Sequence, residues 1–278
     1  MSTAQSQSRA RLVALVLACV GVLGLVGVAV AYLADDPAPV PGIEQGAGDG
    51  VEQPGPQEEP AGAAGGEAAP APTITATGPA GSTANGGIVV GRDGVAGAEV
   101  PDDAVVVAVY LDFMCPYCAA FEQVNGEMLA DLRADGTAVV EYHLVSILDR
   151  FSNGTAYSTR AATAAALVAD QAPELFDLFT TALFVVQPAE NTEGLSDSQI
   201  ADVARRVGIP DAVADVIESG EYVRGADSFA RWVGEATAVA SYGSERFGTP
   251  TIIIDGETLD PRVHDWTVPG QLELAITG

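Results

Sequence analysis

The rhythm of hydrophobic and polar positions changes several times along the chain. Leu12 to Ala34 is a run of 23 residues without a charged side chain, rich in Val, Leu, Ala and Gly. As a helix rising about 1.5 Å per residue it would reach roughly 34 Å, enough to cross a hydrocarbon core. Asp35 to Asn85 then shows no periodicity. From Gly86 onward apolar runs return. Ile88-Val89-Val90 reads as a short strand, and Ala104 to Leu111 (AVVVAVYL) as a central strand buried on both faces. Thr137 to Leu144, after a stop at Gly136, reads as a further strand. Thr251 to Asp255, turning at Gly256, reads as a late strand opening a hairpin.

Between about Ser158 and Tyr242 the period moves from two to near 3.6. Pro173 suits a first helical position, and Ser196-Asp197-Ser198-Gln199 fits a capping box with Ile200, Val203 and Val207 on one face behind it. Tyr222, Ala226, Phe229, Val233, Ala236 and Ala240 form an amphipathic stripe expected in the core. The order is strand, strand, helix, strand, helical block, strand, strand, helix. It predicts an α/β domain over 86–278 whose helical block, about 158–242, is inserted between strands of one sheet.

Composition adds the surroundings of that domain. Residues 35–85 number 51, with nine Pro, ten Gly, eight acidic residues and no basic or aromatic one. Such a segment buries too little apolar surface to offset its ordering entropy, so it is expected to be a disordered linker. Arg9 and Arg11 precede the apolar run, and the next basic residue is Arg92. The positive-inside rule therefore keeps 1–11 in the cytoplasm, makes 12–34 a single-pass membrane anchor and exports the rest. Two other readings compete: Ala29-Val30-Ala31 as a signal-peptide cleavage site, and Val16-Leu17-Ala18-Cys19 as a loose lipobox. All three place 86–278 outside the cytoplasmic membrane. Every basic residue is Arg, 12 in all against 38 acidic ones, for a net charge of −26. A surface this acidic repels phosphate backbones and excludes nucleic-acid binding.

The candidate chemistry lies in Asp112-Phe113-Met114-Cys115-Pro116-Tyr117-Cys118. Two cysteines three apart follow a buried strand and open a helix with Phe121, Met128 and Leu132 facing inward. Cys115 at the helix N-terminus would meet unpaired N–H groups and the positive end of the macrodipole, which favour a thiolate. Pro116 is pre-set for the first helical turn. Cys118, one turn on and more buried, would resolve a mixed disulfide formed at Cys115. A zinc half-site competes, but only Cys19, His143 and His264 remain as further ligands, without clustered spacing. An inert disulfide also competes, although so short a loop stabilises little. His143 reads as a half-buried strand residue and His264 as a loop residue, neither with a role. Asn153-Gly154-Thr155 matches a glycosylation sequon.

Far downstream, Phe247-Gly248-Thr249-Pro250 enters a strand. Together with Asp112-Phe113, Cys115-Pro116-Tyr117-Cys118 and the helical insertion, this resembles the DsbA-like branch of the thioredoxin superfamily, in particular its membrane-tethered bacterial members. The resemblance covers about Gly86 to the C-terminus. It implies a thioredoxin-like fold, a cis Pro250, and Thr249 offering backbone groups to an extended substrate. It also implies an extracytoplasmic thiol–disulfide oxidoreductase that works without metal or organic cofactor. Its partners would be exported proteins with free thiols and a membrane redox partner, DsbB-like or quinone-linked. The Pro-Tyr dipeptide lacks an imidazole, and Asp112 near Cys115 would raise the thiol's pKa. Both features point to a mild oxidant. A reductase or isomerase on the same fold, or a non-catalytic acidic binding domain, are the alternatives.

Overall fold

A computed structural model describes residues 70–225, 228–244 and 247–278. The apolar run 12–34, Cys19 and the linker as far as residue 69 lie outside the described residues, and among those described no helix is long and apolar enough to cross a membrane.

Among the described residues five strands form one sheet in the order β1-β3-β2-β4-β5: β1 Ile88–Val90, β2 Val105–Leu111, β3 Ala138–Leu144, β4 Thr251–Ile254 and β5 Glu257–Thr258. The β-branched run of β2 takes the central place. It pairs in parallel with β3 (Val107 opposite Val140) and antiparallel with β4 (Val109 opposite Ile252). Helix α1, Pro116–Asp135, makes the crossover from β2 to β3. Gly136, at φ 85°, closes it in the left-handed conformation, which a residue without a Cβ adopts freely. The inward face of α1 is Cys118, Phe121, Asn125, Leu129 and Leu132, so Leu129 takes the place expected of Met128, which is only half-buried.

Between β3 and β4 lie α2 (Tyr157–Gln171), α3 (Phe176–Val185), α4 (Asp197–Arg206), α5 (Asp211–Ser219), α6 (Glu221–Arg224) and α7 (Ala230–Ser241); α8 (Gln271–Thr277) ends the chain. Helix α2 is the axis of this insertion. Ala161, Ala162, Ala164, Ala165, Ala166 and Ala169 are all buried, and their small side chains let neighbouring helices approach closely. Pro173 opens a 3₁₀ turn, Pro173–Leu175, ahead of α3. The capping box at Ser196 is present, with Gln199 N–H donating to Ser196 Oγ and Ser196 N–H donating to Gln199 Oε1. The stripe from Tyr222 to Ala240 is not one helix. Gly225 leaves α6 in an extended conformation, and α7 starts afresh at Ala230; Tyr222, Val233 and Ala236 are still buried as the spacing requires. Sheet and insertion share a single core.

The folded part also starts earlier than Gly86. Ile74 and Ala76 pack on the core. Thr75 and Ala76 donate their N–H groups to Glu235 on α7, Ala80 N–H donates to Asp170 at 3.1 Å, and Thr83 Oγ1 donates to Glu141 Oε1 at 2.7 Å. Composition alone hides this, because these few apolar and Thr side chains sit in a Pro- and Gly-rich stretch. Bound by two N–H groups of Thr75 and Ala76, the Glu235 carboxyl is drawn down to about 2. A chain beginning at Gly86 loses the half-buried Ile74 and several polar contacts, so it is expected to be less stable than one beginning at Pro70. Urea midpoints of the two chains check this.

Candidate active site

The end of β2 delivers the cysteines. Cys115 is the N-cap residue of α1, in an extended conformation (φ −79°, ψ 115°), and Pro116 supplies the first helical position. No acidic side chain lies in the first turn, so the positive end of the helix is left for the sulfur. Both cysteines are free thiols here. Cys118 is wholly buried and Cys115 retains 5% of its surface, while Pro116 and Tyr117 stand exposed beside it. A nucleophile at the start of a helix is expected from the motif to stand exposed, and Cys115 is instead nearly buried. The loop before β4 packs against it. The Thr249–Pro250 peptide is cis, and Cys115 Sγ lies 3.1 Å from the carbonyl oxygen of Thr249, to which the thiol donates. Residues 134 positions apart are thus brought into contact.

The two thiols are driven apart in acidity. The Cys118 S–H donated to its neighbour is the largest effect on Cys115. Aided by the Thr249 hydroxyl and the N–H groups of Cys118 and Tyr117, it outweighs burial and lowers the Cys115 pKa to about 6. Burial, and then donation to Cys115, push Cys118 well above its ordinary value. One sulfur is therefore the nucleophile at neutral pH, and the other keeps its proton until the first has reacted.

Asp112 repels Cys115 as expected, and it also has a structural role. Its carboxylate is fully buried and taken up by three donors: Met114 N–H at 2.9 Å, Leu148 N–H at 2.9 Å and Ser158 Oγ at 2.6 Å. It fixes the loop carrying Cys115 to the start of α2, and the Cys115 pKa falls despite it. Burial raises Asp112 itself to about 6. Phe113 is buried and stacks on Phe184 at 4.9 Å. Sequence reasoning missed Gln187, whose Nε2 donates to the carbonyls of Phe113 (3.0 Å) and Cys115 (2.9 Å), and Ser158. Neither belongs to a motif, since each acts through folding that brings distant segments together.

Other residues stand apart from this chemistry. His143 is buried in β3, not half-exposed; it stacks on Tyr110 and lies 3.2 Å from Glu141. His264 sits in a turn before α8. Asn153 is exposed with φ 51°, and its side chain donates to Asn191 O.

Residues 95–269 match a protein family described as Thioredoxin. The chain belongs to that family. Among solved structures it is similar to oxidised DsbA of Mycobacterium tuberculosis, at 30% identity, covering 69% of this chain and 98% of that one with a TM-score of 0.51. MdbA of Corynebacterium diphtheriae, a thiol–disulfide oxidoreductase, matches at 26% identity over 70% of this chain and 94% of that one, with a TM-score of 0.54. These neighbours place it in the DsbA-like branch of the thioredoxin family. A serine/threonine-protein kinase of M. tuberculosis, PknE, is 32% identical over 166 residues, or 58% of this chain. The chain spans only 28% of that kinase's length.

Two predictions follow from the thiol pair. Cys118→Ala removes the main donor to Cys115, so the thiolate absorbance near 240 nm should titrate at a distinctly higher pH than in the native dithiol, and Cys118→Ser should restore part of the shift. Stability of the dithiol form should also depend on pH in two opposed windows. Asp112 is raised from 3.8 to about 6, so its contribution is complete below 3.8 and fades as pH climbs through 6. Cys115 is lowered from 9.0 to about 6, so its contribution grows from pH 6 upward and is complete above 9. Urea midpoints should therefore show a shallow minimum near pH 6 in the dithiol protein.

Proposed function

We propose that this DsbA-like thiol–disulfide oxidoreductase is an extracytoplasmic oxidase that introduces disulfides into exported proteins. In the proposed turnover, a substrate thiolate attacks Cys115 Sγ of the Cys115–Cys118 disulfide and Cys118 leaves as a thiolate, which takes up a proton. A second substrate thiolate then displaces Cys115. The substrate disulfide forms with two electrons passed to the protein pair, and a membrane redox partner reoxidises that pair. Thr249 and Pro250, against the sulfur, offer an edge on which the extended substrate lies by β-augmentation.

The observation that carries the direction is the acidity of Cys115. A stabilised thiolate stabilises the reduced pair and so makes the disulfide a better oxidant. Lowered to about 6 from an ordinary 9.0, Cys115 supports the reading as an oxidant. The uncharged run 12–34 behind Arg9 and Arg11 supports a membrane tether with the domain outside. Equilibrating the pair with glutathione buffers tests the reading. The expected potential lies well above about −270 mV, and a value at or below it would favour a reductase. In cells, Cys118→Ala should accumulate mixed disulfides with exported proteins, and Cys115→Ser should accumulate none.

A further inference from the structure

We propose that the cleft between α1 and α3, just below Cys115, is a subsite for a basic side chain of the substrate protein, carried about three residues from the cysteine being oxidised. The inference rests on the reading that Cys115 exchanges disulfides with a polypeptide, and it adds the chemical class of that polypeptide.

The cleft has a volume of about 370 Å³ and is lined by Ala119, Glu122, Gln123, Thr181, Phe184 and Val185. Ala119, Glu122 and Gln123 follow Cys115 by four, seven and eight residues, so they descend the same face of α1. At about 1.5 Å per residue, Glu122 lies roughly 10 Å along the helix from the sulfur position. The opposite wall is tied to the active-site loop as well. Phe184 stacks on Phe113, and Gln187, two residues past α3, holds the carbonyls of Phe113 and Cys115.

One carboxylate oxygen of Glu122 has no hydrogen-bond partner among the described residues. Its Oε1 accepts from Thr181 Oγ1 at 2.6 Å, while Oε2 is buried with no hydrogen bond. Burial, and then Asp177, raise the Glu122 pKa; Arg133 attracts Glu122 but gives both terminal nitrogens to Asp177, and Tyr142 donates to that same carboxylate, so neither hydrogen-bonds Oε2. A guanidinium or ammonium entering the cleft would give Oε2 both a donor and a counter-charge, the arrangement in which a hydrogen bond is strongest. At the rim, Val185 is 80% exposed, which provides an apolar surface for the aliphatic stem of Arg or Lys. An extended chain joined to Cys115 advances about 3.3 Å per residue, so a residue three positions from its cysteine comes level with Glu122.

The test uses the oxidised full-length chain and two single-cysteine peptides, identical except for Arg or Glu three residues to either side of the cysteine. The reaction followed is the opening of the Cys115–Cys118 disulfide by the peptide thiolate, quenched with acid and read by mass as the mixed disulfide at Cys115. At low salt the Arg peptide should react about tenfold faster, the scale of one charge-assisted contact. Glu122→Gln should bring the ratio of the two rates close to one. Val185→Lys, at an exposed position that tolerates substitution, should lower the ratio by repulsion at the rim. Equal rates in the unsubstituted chain, or an unchanged ratio in both variants, would overturn the subsite while leaving the redox reading intact. A chain that reacts with neither peptide nor with glutathione would overturn the redox reading and the subsite together.

Discussion

Everything at this site depends on one sulfur being more comfortable as an anion than its neighbour. Cys115 sits where β2 hands over to α1, at a helix whose first turn carries no acidic side chain, and the buried Cys118 donates to it. Desolvation works against that anion, but the donors are numerous enough to outweigh it. On Cys118 burial, with its donation to Cys115, outweighs the hydrogen bonds from the Asp112 backbone and the Thr249 side chain, so a shared environment yields two unlike thiols. The asymmetry is a property of position along the helix: the first sulfur meets backbone N–H groups, and the second, one turn on, meets the core.

The scaffold serves this arrangement from three separate parts of the sequence. The sheet brings β4 beside β2, which sets Thr249 against the sulfur. The end of α3 sends Gln187 back to the loop carrying Cys115. The start of α2 supplies Ser158, and the turn before it the Leu148 N–H, to Asp112. Each contact is ordinary, but together they immobilise a loop that would otherwise carry its reactive group on a flexible tip. Preorganisation of this kind keeps a nucleophile at a fixed distance from the partner that must resolve it.

Much of this was legible in the chain. The β-branched run of β2, the short β1 and the hairpin after β4 follow from residue type and period. The cysteine pair enclosing Pro116, and the Thr249-Pro250 pair far downstream, identify the two halves of the site before any contact is known. What periodicity could not supply was long-range partnership. Asp112 near a thiol suggests repulsion, which the fold retains, but not the three donors that claim its oxygens. Gln187 carries no signature, and its role exists only once α3 ends beside the active-site loop. The stripe from Tyr222 to Ala240 keeps its inward face across a break at Gly225, because burial constrains which side chains face the core more tightly than it constrains the backbone between them. Residues 74–83 look like linker by composition and still adhere to the domain through a handful of polar contacts.

The bond from Ser158 to Asp112 has a consequence for how this fold diversifies. Because the first turn of the inserted helices helps hold the loop bearing the nucleophile, the insertion is not a detachable accessory. Grafting the helical block of a relative onto this sheet would exchange the specificity walls and reset the reactive loop in one operation, unless a hydroxyl is kept at the graft's entrance.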